Sequence, residues 1–191
     1  MSPRAAVFFL LAGLAFAGPA TALPDRDAIN ALRDAAAGTF GKFTAEITTG
    51  TRAFVAATAI KDRYVTEAAE VAKRRSLSPR VRTFASSLAA DAWASGAELK
   101  RVLHIYNVDA VPESRLDFRR RGMLGELRDT PARDFDRRYL AQQILANSEL
   151  RILLQRYIGG GKIVAIRQYA ARRLGKVDEQ LSALQRLRRE L

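Results

Sequence analysis

Four long stretches of this chain repeat apolar side chains every three and four residues, and that period confines each of them to a helix. In the first, over 51–75, Phe54, Ala57, Ile60, Tyr64, Ala68 and Val71 share one face. Ser76-Leu77-Ser78-Pro79 then breaks the pattern. Ser78 is suited to accept the orphan N–H groups of a new helix, and Pro79 suits its first position. The second stretch, over 79–106, turns Val81, Phe84, Leu88, Asp91 or Ala92, Ser95, Leu99, Val102 and Tyr106 inward. Thr130-Pro131 repeats the cap-and-proline start. The third helix carries Phe135, Tyr139, Gln142, Ala146, Leu150, Leu153 and Tyr157 on one face. Gly159-Gly160-Gly161 is expected to end it through a left-handed cap. The fourth, over 162–189, turns Ile163, Ile166, Ala170, Leu174, Val177, Leu181, Leu184 and Leu187 inward.

Strand-like alternation is scarce. The expected class is all-α, a four-helix bundle with antiparallel hairpins wherever the connections are short. The connection between the second and third helices is longer. It holds Pro112 and a short, strongly basic extra helix over 118–127.

The first 22 residues fit no part of such a bundle. One basic residue, Arg4, precedes an apolar run from Ala5 to Ala17, which Gly18-Pro19 breaks before the small residues Ala20-Thr21-Ala22. This is the layout of a cleavable secretory signal, and the run is short for a membrane span of about 20 residues. The expected organisation is a signal peptide over 1–22, an N-terminal segment and linker over 23–50, and a bundle domain over 51–191. Within 23–50, Asp25–Ala37 reads as a short helix and Thr39–Gly50 as the linker. The expected location is the periplasm, with association at a membrane surface. The alternative for the N-terminus is an uncleaved membrane anchor.

The chain has no Cys, so packing alone must hold the domain in an oxidising compartment. Its net charge is +12. Nucleic acid is the usual counter-charge for such a balance. An exported protein meets little of it, and the few aromatics are not interleaved with the arginines as base stacking requires. The partners expected instead are anionic lipid, lipopolysaccharide or an acidic envelope protein. Lys73-Arg74-Arg75 and Arg186-x-Arg188-Arg189 close helices, where the helix dipole favours cations. Arg119-Arg120-Arg121 lies in the central connection, with only Asp117 and Glu126 nearby in sequence to neutralise it. These three arginines are the candidate anion-binding residues, expected at one end of the bundle, away from the core. The oligomeric state is not written in the sequence.

Phe54-Val55, Ser78-Pro79-x-Val81-x-x-Phe84-Ala85 and Glu98-Leu99-Lys100, followed by Asp134-Phe135-Asp136-x-x-Tyr139-Leu140 and Ala170-Ala171-x-x-Leu174, resemble a widespread bacterial exported domain. It is the domain-of-unknown-function family four-one-four-two, often labelled a predicted outer-membrane protein. The resemblance spans roughly 52–188 and implies a ferritin-like four-helix bundle sent to the periplasm. It also implies three histidines that this chain lacks, where it has Ala92 after Asp91, then Asn147, then Gln180. Glu67, Asp91, Asn147 and Gln180 are the candidate remnant of a family site.

A ferritin-like metal centre needs inward carboxylates and two Glu-x-x-His pairs. No Glu-x-x-His occurs, and His104 is the only histidine. Glu67, Glu70, Asp91 and Glu149 are the carboxylates available for an all-oxygen cation site, although helical spacing puts Glu149 on a flank. Asp91, Ser95 and Gln142 are polar residues on apolar stripes. They read as register-fixing groups that need partners across the bundle. There is no nucleophile elbow and no phosphate loop. The expected protein has no catalytic residues, no metal and no cofactor. It is an exported, non-enzymatic bundle that binds or packs in the cell envelope under stress. The alternative is a ferritin-like metal or redox protein with a degenerate site.

Overall fold

The computed structural model describes residues 50–191; the expected signal peptide over 1–22 and the expected helix Asp25–Ala37 lie outside the described residues. Five helices follow: α1 Thr51–Arg75, α2 Pro79–Ile105, α3 Phe118–Asp129, α4 Ala132–Gly160 and α5 Val164–Arg189. Among the described residues there is no strand.

The four long helices pack as two hairpins, α1 with α2 and α4 with α5. The hairpins meet through α1 against α4 and α2 against α5, while α3 lies on α1 and α4. Long-range contacts fix the directions. At one end Thr51 Oγ1 is 2.7 Å from the Tyr157 hydroxyl. At the other, the Arg75 guanidinium donates to the Leu127 and Thr130 carbonyls at 2.9 and 2.7 Å and lies over the Phe135 ring. Helices α1 and α4 are therefore antiparallel. Arg80 pairs with Glu190 at 2.8 Å and Glu98 with Arg172 at 2.6 Å, so α2 and α5 are antiparallel too. Helix α2 thus ends where α1 begins, as the Arg52–Asp109 ion pair just past α2 confirms. Helix α4 begins where α1 ends. The long connection has to travel back along the helices; Leu116 and α3 pack on one apolar cluster, and Val108 and Ala110 on the other.

Local chemistry sets most boundaries. Ser78 Oγ accepts from the Val81 N–H at 3.4 Å, and Asp117 Oδ1 caps α3 by accepting from the Arg120 N–H at 2.7 Å. Three expectations are corrected. Thr130 does not cap α4: its hydroxyl donates back to the Glu126 carbonyl at 2.6 Å and closes α3. No described glycine has a positive φ; α4 runs through Gly160 and stops at Gly161 in extended backbone. Tyr106 faces solvent, 59% exposed, because α2 unwinds there into a turn with Asn107 left-handed.

The core is divided. One apolar cluster includes Tyr64, Leu88, Phe135, Tyr139 and Leu184, and a second includes Phe54, Leu99, Leu154, Tyr157 and Tyr169. In α1 the residues between Val55 and Tyr64 that turn inward are Thr58, Lys61 and Asp62. In α4, Asn147 and Glu149 are buried between Ala146 and Leu150. A polar layer therefore interrupts the apolar interior near the middle of the long helices.

Candidate functional site

Residues three and four apart share a helix face, so Thr58, Lys61 and Asp62 point together from α1, as do Gln143 and Asn147 from α4. Because these helices pack side by side, the two polar sets meet. Lys61 is 2% exposed, and its Nζ donates to Asn147 Oδ1 at 3.3 Å. The Asn147 amide nitrogen donates to the Gln143 carbonyl at 2.9 Å, which fixes its orientation. Burial pushes the Lys61 amine well below the ordinary lysine value, and the nearby Arg173 charge pushes the same way; Asp62 opposes. Asp62 forms an ion pair with Arg173 of α5, both side chains 10% exposed. Desolvation raises the Asp62 carboxyl, with Arg173 pulling it back down. Thr58 Oγ1 and both amide atoms of Gln143 are buried without hydrogen-bond partners among the described residues. Leaving such groups unmade costs about 1–3 kcal/mol each, so this layer is not optimised for stability.

Beside it lies a second ionic group. Glu149 is 8% exposed and accepts a two-pronged hydrogen bond from Arg119, at 2.5 and 3.0 Å, and a longer one from Arg120 at 3.4 Å. Arg120 also pairs with Asp117 at 2.5 Å. The expectation of an unneutralised Arg119-Arg120-Arg121 cluster, displayed away from the core, is therefore corrected. Helix α3 lies on α4 and turns Arg119 and Arg120 inward onto a carboxylate distant in sequence. Glu149, placed on a flank by periodicity, is buried because α3 covers that flank. Arg121 alone stays outside, donating to the Leu116 carbonyl at 2.5 Å.

The expected remnant residues divide three ways. Asp91 and Gln180 do meet: the Gln180 amide donates to Asp91 Oδ2 at 2.9 Å, with Lys176 at 3.8 Å. Asn147 serves Lys61 instead. Glu67 sits on the surface with Arg63 at 2.7 Å, and Glu70 pairs with Lys73 at 2.6 Å. The four carboxylates considered for a cation site are thus dispersed into separate pairs. No three His, Asp or Glu side chains among the described residues gather as a metal would require. The other polar stripe residues do find partners: Ser95 with the Tyr169 hydroxyl at 2.8 Å, and Gln142 accepting from the Tyr64 hydroxyl at 2.7 Å. Gln142 also donates to the Met123 carbonyl and to Glu126, tying α4 to α3. Burial raises the Tyr169 hydroxyl to about 12.

Lys61 is the residue that sequence reasoning missed. It follows Ile60 on the first stripe, and Thr58, Lys61 and Asp62 form a polar row beside that stripe. A row of this kind reads as solvated unless a third helix covers it.

Over the described residues the arrangement defines an all-helical protein whose buried charged groups are committed to internal pairs, with Thr58 and Gln143 left over. The chain belongs to the family described as domain of unknown function (DUF4142), which matches residues 36–187. No curated protein and no solved structure matches it. A ferritin-like metal centre does not fit the side chains present. Lys61 puts a cationic or amine group into the layer, Asn147 and Gln180 are amides, and Glu149 is held by two guanidiniums.

Proposed function

We propose that this is an exported, non-enzymatic protein of the bacterial cell envelope that acts by binding an anionic partner at its surface. Its four long helices would form a ferritin-like four-helix bundle, with α3 in the crossover. One observation carries the reading: the mid-helix positions, where bundles of this kind build metal sites, are spent on one another. Lys61 pairs with Asn147, Asp62 with Arg173, Glu149 with Arg119, and Asp91 with Gln180. A metal site needs ionisable or imidazole groups left free for it, and the side chains wholly left over in this layer, Thr58 and Gln143, are neutral. The charge of +12 supports an anionic partner, and the apolar run before Ala22 supports export. Among the described residues no helix is long and apolar enough to cross a membrane, which suits contact at a surface.

The test is co-sedimentation of the mature protein with vesicles of phosphatidylglycerol in phosphatidylcholine. Binding at low salt that falls at physiological salt is the expected result. No binding at low salt would remove the anionic-surface reading.

A further inference from the structure

With Arg119 and Arg120 turned inward, surface positive charge concentrates elsewhere. A shallow hollow of about 370 Å³ opens between α1, the connection before α3, and α3 itself. Arg63, Arg115, Arg121 and Arg128 line it, together with Glu67. Its floor is apolar, made by Leu116 and Leu124, which are 7% and 2% exposed. Arg121 and Arg128 stand two helical turns apart on α3, and Arg115 reaches the hollow from the connection.

Four guanidiniums thus face one carboxylate, and Glu67 is already engaged by Arg63. Among the described residues the Arg128 guanidinium makes no ion pair, and the Arg115 guanidinium has only the nearby, solvent-exposed Glu113 carboxylate for company; the Ser114 and Arg115 N–H groups hold that carboxyl below its ordinary value, with the Arg115 charge adding to the effect. Like charges held this close oppose one another and gain from a shared counter-ion. Guanidinium forks match the oxygens of a phosphate group in pairs. The floor keeps water from one side of the hollow, which strengthens those contacts.

We propose that this arginine cradle binds a phosphate group, either of a lipid head group or of a soluble phosphate ester. The proposal rests on the anionic-partner reading and gives it an address. Arg128 supplies a free fork, Arg115 a fork shared only with solvent-exposed Glu113, Arg121 a donor beyond the one it spends on the Leu116 carbonyl, and Glu67 limits affinity by repelling the anion.

The experiment titrates the full mature chain with inorganic pyrophosphate by calorimetry, and with vesicles containing phosphatidic acid or only phosphatidylcholine. The variants are Arg115→Gln/Arg128→Gln, Glu67→Gln, and the control Arg101→Gln/Lys100→Gln on α2. The control removes the same charge from exposed positions outside the cradle. Wild type should bind pyrophosphate and phosphatidic acid vesicles but not phosphatidylcholine. Affinity should fall about fivefold per arginine removed, so about 25-fold in the double variant. Glu67→Gln should tighten binding severalfold, and the control should change it less than twofold. Pyrophosphate binding without vesicle binding would assign the cradle to a soluble ester; the reverse would assign it to a membrane. If the control loses as much as the cradle variant, adhesion is a property of the whole basic surface and the cradle proposal falls, while the anionic-partner reading stands. No binding to either probe overturns both.

Discussion

The Lys61 amine lies 3.3 Å from the Asn147 amide oxygen, inside the protein and between its two apolar clusters. An amide is a poor counter-group for an ammonium. The charges around it come from three other groups of the fold: Arg173, Arg120 and Glu149, besides neighbouring Asp62. Burial and the arginines favour the neutral amine.

This predicts a pH signature. The folded chain releases the Lys61 proton at lower pH than the unfolded chain does. Between the lowered value and the ordinary 10.5, the unfolded state holds the extra proton, so stability rises with pH across that window. The slope is at most about 1.4 kcal/mol per pH unit for one proton. Asp62, raised by burial, acts in the opposite sense, from its ordinary 3.8 up to its raised value. Denaturant unfolding between pH 7 and 9.5 should show wild type gaining stability. Lys61→Met/Asn147→Leu, which leaves no stranded amide, should be flat. Parallel slopes would show that Lys61 stays charged.

Glu149 is the hinge of the α3–α4 contact. Glu149→Gln leaves the partly buried Arg119 guanidinium without a carboxylate, while Arg120 keeps Asp117, and breaking a buried pair this way costs about 3–5 kcal/mol. Loss at the low end is expected, since Arg119 retains 23% exposure. Arg119→Met/Glu149→Met should recover part of the loss. A Glu149→Gln variant as stable as wild type would mean that α3 is held by its apolar contacts and by the Gln142 and Arg75 hydrogen bonds, without the Glu149 ion pair.

The apolar stripes of α4 and most of α5 were legible in the sequence because each lines both apolar clusters along a single face of its helix. Phe135, Tyr139, Gln142, Ala146, Leu150, Leu153 and Tyr157 are all buried as their spacing predicts. The α1 reading captured only half of that helix's buried surface. Phe54, Tyr64, Ala68 and Val71 lie in the core, but so does the row Thr58, Lys61, Val65, Ala69 and Ala72, since α1 is touched by α2, α3 and α4. Helix α3 explains the misplacement of the arginine cluster and of Glu149. Its packing takes Arg119 and Arg120 off the surface and buries Glu149. Which helix covers which flank is a long-range fact, and neither local charge nor periodicity encodes it. Of the remnant positions, only the Asp91–Gln180 contact joins two of them.

Gly161 marks a close approach. A Cβ there would lie 2.4 Å from the Tyr157 ring and 2.6 Å from the Tyr157 carbonyl oxygen. That ring is stacked on Phe54 at 4.1 Å and its hydroxyl is held by Thr51, so it has little room to yield. Gly161→Ala should destabilise the protein by about 1–3 kcal/mol, as overpacking does. Gly159→Ala, whose Cβ would meet nothing within 4 Å, should not. Equal stability of the two in thermal unfolding would refute the clash.

Export is checked by the mass of the protein recovered from the periplasm. Cleavage after Ala22 predicts a chain beginning at Leu23. A chain that keeps Met1 would instead support a membrane anchor.

The most direct test of the internally paired polar layer is elemental analysis of the protein purified natively, without chelators. With Asp91, Glu149 and Asn147 engaged by Gln180, Arg119 and Lys61, iron, zinc and manganese should each fall well below one equivalent per chain. One tightly held transition metal per chain, lost on Asp91→Asn or Glu149→Gln substitution, would contradict the account and establish a metal protein.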